Sequence, residues 1–345
     1  MENSRSPIDQ LVIARSFNVR RTELTCPAHS MKMMGKAADS EADEVILDLE
    51  DSCAVSQKVP ARATLIQALR NLDFKGKIRA IRPNNVRTRY FYGDLIQVLE
   101  AAGQYVDVVV VPKVYGADDV LFVDRLITQI EENCGFEIGR IKLEVLIESA
   151  KALLHAEEIA ACSPRMTSLI FGIADYAGDI GAKELTRDQF RVYHYPKAHT
   201  IAAARAAGID VIDNVTLNFR DLEQVKRDAE EGARMGFDGK WAIHPSHLPV
   251  INRAYTPDTA EIQRALEILE AYRKADHEEG LGAIVYGDEM VDAATLRVEW
   301  KKLAVARRAG LVDEHDRLAT SANGAKGVEV EEPNGATGVE AGVGR

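Results

Sequence analysis

In "ADEVILDLEDS", residues 42–52, an apolar run (Val45, Ile46, Leu47, Leu49) ends on Asp48, Glu50 and Asp51. Carboxylates this close repel one another and resist desolvation, so a cation is expected beside them. Other apolar runs also end on ionisable groups: Arg82 in "IRPN", Lys113 after "VVVVP", Glu148 in "LEVLIESA", Asp175 in "FGIADYAGD", Asp213 in "VIDN" and His244 in "WAIHPSH". Glu148 and Asp175 facing Arg82 suit a divalent cation held through oxygen, because Mg2+ takes one or two carboxylates and fills its shell with water and substrate oxygens. Such an ion would relieve the crowded acids, with Glu50 and Asp51 holding its waters. Arg82 is permanently charged and suits charge developing on a substrate oxygen; its loss is expected to cost on the order of 3–4 kcal/mol of barrier.

Competing readings of the same residues stay open at this level. Glu148 could balance Arg82 as a plain ion pair, Asp175 could cap a helix, and some strand-end charges could be mouth salt bridges. Lys113, at the end of an apolar strand, could form a Schiff base with an oxo-acid. Zinc is the weaker metal choice: His244 and His247 in "HPSH" are interrupted by Pro245 and have no cysteine near them.

The elements that would bring these residues together follow from the apolar pattern. Strands are expected at 22–27, 44–49, 78–83, 106–112, 141–148, 166–173, 209–214 and 239–244. Helix-like segments lie between them: Pro60–Leu69, Gly93–Ala102, Asp118–Glu131, Ala150–Ala160, Lys197–Ala207 and Asp221–Met235. That alternation matches a TIM (β/α)8 barrel, an α/β fold whose active site lies at the C-terminal ends of the strands. A doubly wound open sheet is the competing architecture. The barrel is expected over residues 15–255 and a C-terminal helix and cap segment over 256–315. In the latter, Thr256 is the candidate N-cap with Pro257 at the first helical position, and a short hairpin and a last helix follow. Residues 316–345, rich in Gly, Ala, Glu and Val, read as a disordered tail.

Composition narrows the partners. A net charge of −11 argues against nucleic acid and anionic membrane, and leaves room for a local basic pocket. Four scattered cysteines suit a reducing compartment, and no apolar run is long enough for a membrane span. The expected location is the cytoplasm. No P-loop is present, and "GLGAIVYG" has the wrong spacing and context for a dinucleotide site.

Taken in order, "RRTELTCPAHSMKMMGKAADSEADEVILDLEDS", "IRPN", "VVPKV", "EVLIESA", "FGIADYAGDIG" and "GFDGKWAIHPSHLPVINRAYTP" resemble the citrate lyase beta-subunit-like enzymes of the HpcH/HpaI aldolase superfamily, over roughly residues 15–310. "GAIVYGDEMVDAATLR" resembles the C-terminal cap of the malyl-CoA and citramalyl-CoA lyase branch. The resemblance implies a lyase that splits a 3-hydroxyacyl-CoA, with Mg2+, into an acyl-CoA (acetyl-CoA or propionyl-CoA) and a 2-oxo acid (glyoxylate or pyruvate). It places Glu148 and Asp175 on the metal ligands and Arg82 on the arginine that holds the oxo-acid and enolate oxygens. Glu50 and Asp51 join the catalytic groups. Thr25 and Lys36 fall on CoA-contacting positions, and Ile243 and His244 on a substrate-contacting pair.

Asp292 falls on an aspartate that acts as acid or base in a neighbouring subunit's site. That implies a homo-oligomer, a trimer or hexamer, and requires burial to raise the Asp292 pKa. Read alone, "VDAATLR" would make Asp292 a helix cap. The sequence also departs from the pattern: Pro27–Ala28 replaces the usual Pro-Gly, and Ser30 replaces a CoA-binding arginine, leaving His29 or Lys32 for the phosphate. The segment after Asp175 is shorter than in several malyl-CoA lyases. Three alternatives remain: a malyl-CoA thioesterase, a citrate lyase beta-like component using an acyl-carrier thioester, and an oxo-acid aldolase without CoA. Which hydroxyacyl-CoA is used stays open, since a pocket discriminates one methyl group by only about 1–3 kcal/mol.

Overall fold

The computed structural model describes residues 19–185, 189–276, 281–313 and 318. Eight parallel strands close in sequence order: β1 (Thr22–Pro27), β2 (Glu44–Asp48), β3 (Ile78–Arg82), β4 (Val108–Val111), β5 (Lys142–Ile147), β6 (Met166–Phe171), β7 (Asp210–Asp213) and β8 (Gly239–Ala242). β8 pairs back onto β1 through Thr22↔Lys240, Glu23↔Trp241 and Leu24↔Ala242. That closure excludes the open doubly wound sheet. At the seam Gly239 is obligatory, because a Cβ there would sit 1.7 Å from the Arg20 carbonyl oxygen.

Side chains alternate across each strand, and this separates the apolar residues into two cores. Outward residues such as Val45, Leu47, Ile81, Val109, Val111, Leu143 and Val145 pack under the surrounding helices. Inward residues Ile46, Ala80, Val110, Leu146, Ile170, Ile212 and Trp241 fill the middle of the barrel. Charged storeys lie above and below that plug. At the N-terminal end Arg20 reaches Glu44 (3.1 Å), Glu144 (3.1 Å) and Asp210 (3.3 Å), with Glu23 also fully buried. At the C-terminal end lie the residues singled out above.

The helices differ in detail from the sequence expectation. Met31–Ala38 forms a helix after β1, burying Met34, Ala37 and Ala38; its single short apolar stripe gives too little periodicity to read. The segment expected as one helix, Ala150–Ala160, is broken at His155 into Ala150–Leu154 and Ala156–Ala161. In the C-terminal segment the N-cap is Asp258, not Thr256: Asp258 and Glu261 form a capping box that opens the helix Thr259–Lys274. The Thr256 hydroxyl instead accepts from Arg21 (3.0 Å) and donates to the Asn252 carbonyl.

A hairpin, β9 (Ala283–Tyr286) and β10 (Glu289–Asp292), then leads into the helix Ala293–Arg308. With Thr259–Lys274 these build a second small core around Ile262, Ile268, Leu269, Tyr272, Leu296 and Leu303. Lys301 joins it to the barrel through Asp238 (2.9 Å). The expected tail, 316–345, lies outside the described residues apart from Leu318. Among the described residues no helix is long and apolar enough to cross a membrane.

Candidate active site at the barrel mouth

The loop after β2 is organised by its first acid. The Asp48 carboxylate accepts the backbone N–H of Glu50 (2.8 Å) and of Ser52 (2.9 Å), which turns the chain back over the barrel. Both Asp48 oxygens also take Arg82, through Nε and Nη2 at 2.7 Å each. Burial pushes this carboxyl up, but the Arg82 pairing and the N–H bonds outweigh it and hold it at about 2. Arg82 itself is buried and stacks over Trp241 at 5.2 Å. Its Nη1, 3.6 Å from Glu50 Oε2, is the part of the guanidinium not bound to Asp48.

A second cation answers the remaining acids of this loop. Lys113 Nζ lies 2.8 Å from Glu50 Oε1, 2.9 Å from Asp51 Oδ1 and 3.9 Å from Asp175 Oδ1. Arginine and lysine side chains thus answer part of the charge of "DLEDS", a share that the sequence expectation gave wholly to a metal ion. The same contacts remove the Schiff-base reading. Burial alone would lower the Lys113 pKa, yet Glu50 and Asp51 raise it well above its ordinary value, and a protonated amine is no nucleophile.

Glu148 sits at the centre. Its Oε1 accepts the Lys113 backbone N–H at 2.6 Å, and Gly172 makes room for it, since a Cβ on residue 172 would lie 2.6 Å from Glu148 Cβ and 2.9 Å from Oε2. No ion pair ties Glu148 to Arg82, so it is not a simple counter-charge. Burial, then the neighbouring charges of Asp175 and Glu50, push its carboxyl up to about 8. Asp175 stands in the first turn of the helix Ile173–Asp179 with its side chain 44% exposed; the N-cap of that helix is Gly172, so Asp175 is not a cap.

The mouth thus holds more carboxylate than its two cations balance. Glu50 Oε2 is buried with no hydrogen-bond partner, and Glu148 is held above its usual range by burial first and then by its acidic neighbours. A set of hard oxygen donors with surplus negative charge fits an oxygen-preferring divalent ion, and Glu148 and Asp175 are the residues placed to hold one. Among the described residues, the acids whose oxygens already lie within 4.8 Å of one another are not at the mouth but deep in the barrel: Glu23, Glu44 and Glu144. There Arg20 already provides the cation and the side chains have no exposure.

Other expected residues fall elsewhere. Asp213 does not face the mouth: it is buried between β7 and the helices, paired with Lys197 (2.5 Å) and Lys240 (3.1 Å). It is the last residue of a short strand, and one position of register turns it outward. The Thr25 hydroxyl lies inside the barrel, bound by the Trp241 indole N–H. Lys36 and Lys32 are exposed on the helix Met31–Ala38. Ser30 caps that helix, accepting from the Met33 N–H, and His29 Nδ1 lies 3.4 Å from Cys53 Sγ. Ile243 and His244 are exposed on the rim, with the His244 ring 5.6 Å from that of Phe219. His247 Nε2 is occupied by the Phe219 carbonyl at 2.9 Å, which leaves no zinc pair.

Asp292 caps the helix Ala293–Arg308, accepting from the Ala294 and Thr295 N–H groups at 2.9 Å each. Those bonds lower its pKa, the opposite of the burial-driven rise expected. Supporting residues were not foreseen. Lys58 Nζ holds the Glu50 carbonyl (2.7 Å) and Asn84 Oδ1 (2.6 Å), Asn84 Nδ2 donates to Asp94 (2.6 Å), and Arg62 pairs with Asp94 (2.7 Å). Asn84 was visible in "IRPN"; Lys58 and Asp94 lie on helix faces that carry no signal of their own.

Comparison with known proteins agrees with this architecture. The HpcH/HpaI aldolase/citrate lyase family model matches residues 21–245, and a model for carbon–carbon bond lyases of the TIM-barrel fold matches residues 191–310. An L-malyl-CoA/beta-methylmalyl-CoA lyase of Rhodobacter capsulatus is 37% identical over 294 residues, covering 81% of this chain and 92% of the relative. The citrate lyase subunit beta of Leuconostoc mesenteroides subsp. cremoris is 30% identical over 295 residues, covering 86% and 96%. Among solved structures, CitE from Mycobacterium tuberculosis, in complex with magnesium, acetoacetate and coenzyme A, superposes with a TM-score of 0.69 at 30% identity, covering 85% of this chain and 98% of that one. Fold, mouth and sequence agree, and the chain belongs to the HpcH/HpaI aldolase/citrate lyase family of carbon–carbon lyases.

Proposed function

We propose that the chain is a Mg2+-dependent lyase that cleaves, or in reverse forms, the carbon–carbon bond of a 3-hydroxyacyl-CoA such as malyl-CoA, beta-methylmalyl-CoA or citramalyl-CoA. The products are acetyl-CoA or propionyl-CoA and glyoxylate or pyruvate. The observation that carries this reading is the mouth itself: Glu148, Asp175 and Glu50 within the reach of one lysine, with Arg82 fixed beside them. Two relatives support it, one an L-malyl-CoA/beta-methylmalyl-CoA lyase and the other solved with magnesium and coenzyme A.

Glu148 and Asp175 would hold the ion, which when bound supplies Lewis acidity to the substrate's carboxylate and hydroxyl oxygens. The protein's own groups do the rest. Glu50 Oε2, buried and without a hydrogen-bond partner, is the oxygen free to take the hydroxyl proton. Arg82 Nη1 faces the mouth beside it and stabilises charge on the departing oxo-acid, while Asp48 keeps the guanidinium from rotating. Asp292 protonates the thioester enolate. Within one chain its carboxylate is spent on its own helix, so this role belongs to a neighbouring copy's site, where assembly supplies the burial. A residue acting in trans makes the working form at least a dimer, and the family resemblance favours a trimer or hexamer. Lys32 and Lys36 are the exposed cations available to CoA phosphates.

A panel of malyl-, methylmalyl-, citramalyl- and citryl-CoA, each with Mg2+ and with EDTA, tests the reading. Glyoxylate or pyruvate release that EDTA abolishes is the expected result. Free malate without an oxo-acid would make the chain a thioesterase, and turnover restricted to an acyl-carrier thioester would make it a citrate lyase component. Undiminished lysis in EDTA would overturn the metal's part.

A further inference from the structure

Lys113 is one of two non-glycine residues with positive φ among the described residues, at +53°. The other, Lys75, sits in an exposed turn. A side chain in the left-handed region is disfavoured and persists where the surroundings impose it, often at functional sites. Here the conformation does two things at once. It aims the backbone N–H at Glu148 Oε1 (2.6 Å), and it sends the ammonium across the mouth to Glu50 (2.8 Å), Asp51 (2.9 and 3.0 Å) and the neighbourhood of Asp175 (3.9 Å). One residue therefore touches or flanks all four acids. Arg82 is bound through two nitrogens to Asp48 and reaches Glu50 only at 3.6 Å, which leaves Lys113 as the cation in closest contact with Glu50 and Asp51.

We propose that Lys113 is a positioning residue that fixes the four mouth acids before metal and substrate arrive and, through its charge, holds divalent-ion affinity below what those acids would otherwise give. The inference rests on the lyase reading above and deepens it. An ammonium a few ångströms from a metal-ligating carboxylate draws on the same negative charge as the ion and repels it. Removing the charge should tighten the ion. Removing the anchor should loosen Glu50 and Asp51, which act on the substrate. The two effects have opposite signs, whereas a residue that merely supports the fold would weaken both.

The test is Mg2+ titration by calorimetry, steady-state kinetics and thermal melting on the full-length chain and the variants Lys113→Met, Lys113→Arg and Lys113→Gly. For Lys113→Met the expected result is Mg2+ bound about tenfold more tightly, with kcat at saturating Mg2+ reduced on the order of 10–100-fold and KM changed less. Lys113→Arg restores the charge and returns Mg2+ affinity toward that of the unaltered chain. Lys113→Gly keeps the N–H to Glu148, relieves the left-handed strain and melts at the same or a higher temperature, with Mg2+ bound as in Lys113→Met. Unchanged or weaker Mg2+ binding in both Lys113→Met and Lys113→Gly would overturn the inference and leave the lyase reading standing. No Mg2+ binding by the unaltered chain would overturn the metal reading and this inference with it.

Discussion

The two ends of the barrel interior use the same groups and arrive at opposite results. At the N-terminal end one guanidinium, Arg20, is shared among Glu44, Glu144 and Asp210, with Glu23 beside them and both its oxygens unpartnered. Burial, with the mutual repulsion of these acids, raises Glu23 and Glu44, and burial raises Glu144; Asp210 is pushed up to about 6. There the crowding shows as carboxyls held above their usual range. At the C-terminal end Arg82 is matched to one acid, Asp48, Lys113 bridges the next two, and backbone N–H groups hold Asp48 and Glu148 in place. The mouth is also open to solvent at Asp51 and Asp175. Clustered acids alone do not make a reactive site. Anchored oxygens, an opening and a deficit of positive charge do, and only the mouth combines them.

Substitutions at the two ends should separate accordingly. The largest effect is expected from Glu148→Gln: loss of Mg2+ binding and of at least about a thousandfold in turnover, corresponding to several kcal/mol of barrier. Its thermal stability should be unchanged or higher, because the replaced carboxyl is buried and its pKa is pushed up to about 8 by that burial and its acidic neighbours. Calorimetry, kinetics and a melt check all three; a stable variant that still turns over would break the comparison at its functional end.

Arg20→Met should do the reverse. Stripping the shared cation from buried acids is expected to cost about 3–5 kcal/mol in denaturant unfolding, with Mg2+ affinity of the folded protein intact. A loss of Mg2+ binding in folded Arg20→Met would show the two ends to be coupled.

The smallest effect sharpens the picture through pH. Acids whose folded pKa is raised carry more protons folded than unfolded, so they take stability away as pH climbs from their ordinary value, near 4, to the raised one, which for Asp210 is about 6. Glu23→Gln removes one such acid and supplies an amide that can donate to Glu44 and Glu144. It should stabilise the protein by about 1–2 kcal/mol at pH 8 and by almost nothing at pH 4. Unfolding curves at the two values test this, and equal effects at both would mean that Glu23 is not held protonated.

Much of this was legible in the sequence. The eight strands fall within one or two residues of the expected segments, because β-branched runs such as Val108–Val111 leave little alternative. Glu148, Asp175, Arg82, Glu50 and Asp51 do meet at one end of the sheet, since in a parallel barrel every strand delivers its C-terminal residues to the same face. Asp213 misled because period-two alternation over a four-residue strand cannot say which parity faces inward. Arg20, Glu23, Glu44 and Glu144 gave no warning, being single charges spread over more than a hundred residues. Lys58 and Asp94 were invisible for the same reason.

The order of apolar and charged residues along this chain fixed the closed barrel and the end of it where Glu50, Asp51, Arg82, Glu148 and Asp175 gather, since strand periodicity and chain direction are local properties. Tertiary structure alone decided which charge answers which: that Arg82 belongs to Asp48, that Lys113 reaches Glu50 and Asp51, and that Asp213 is taken by Lys197 and Lys240. Those choices depend on distances between strands far apart in the chain, and electrostatic energies change steeply over a few ångströms.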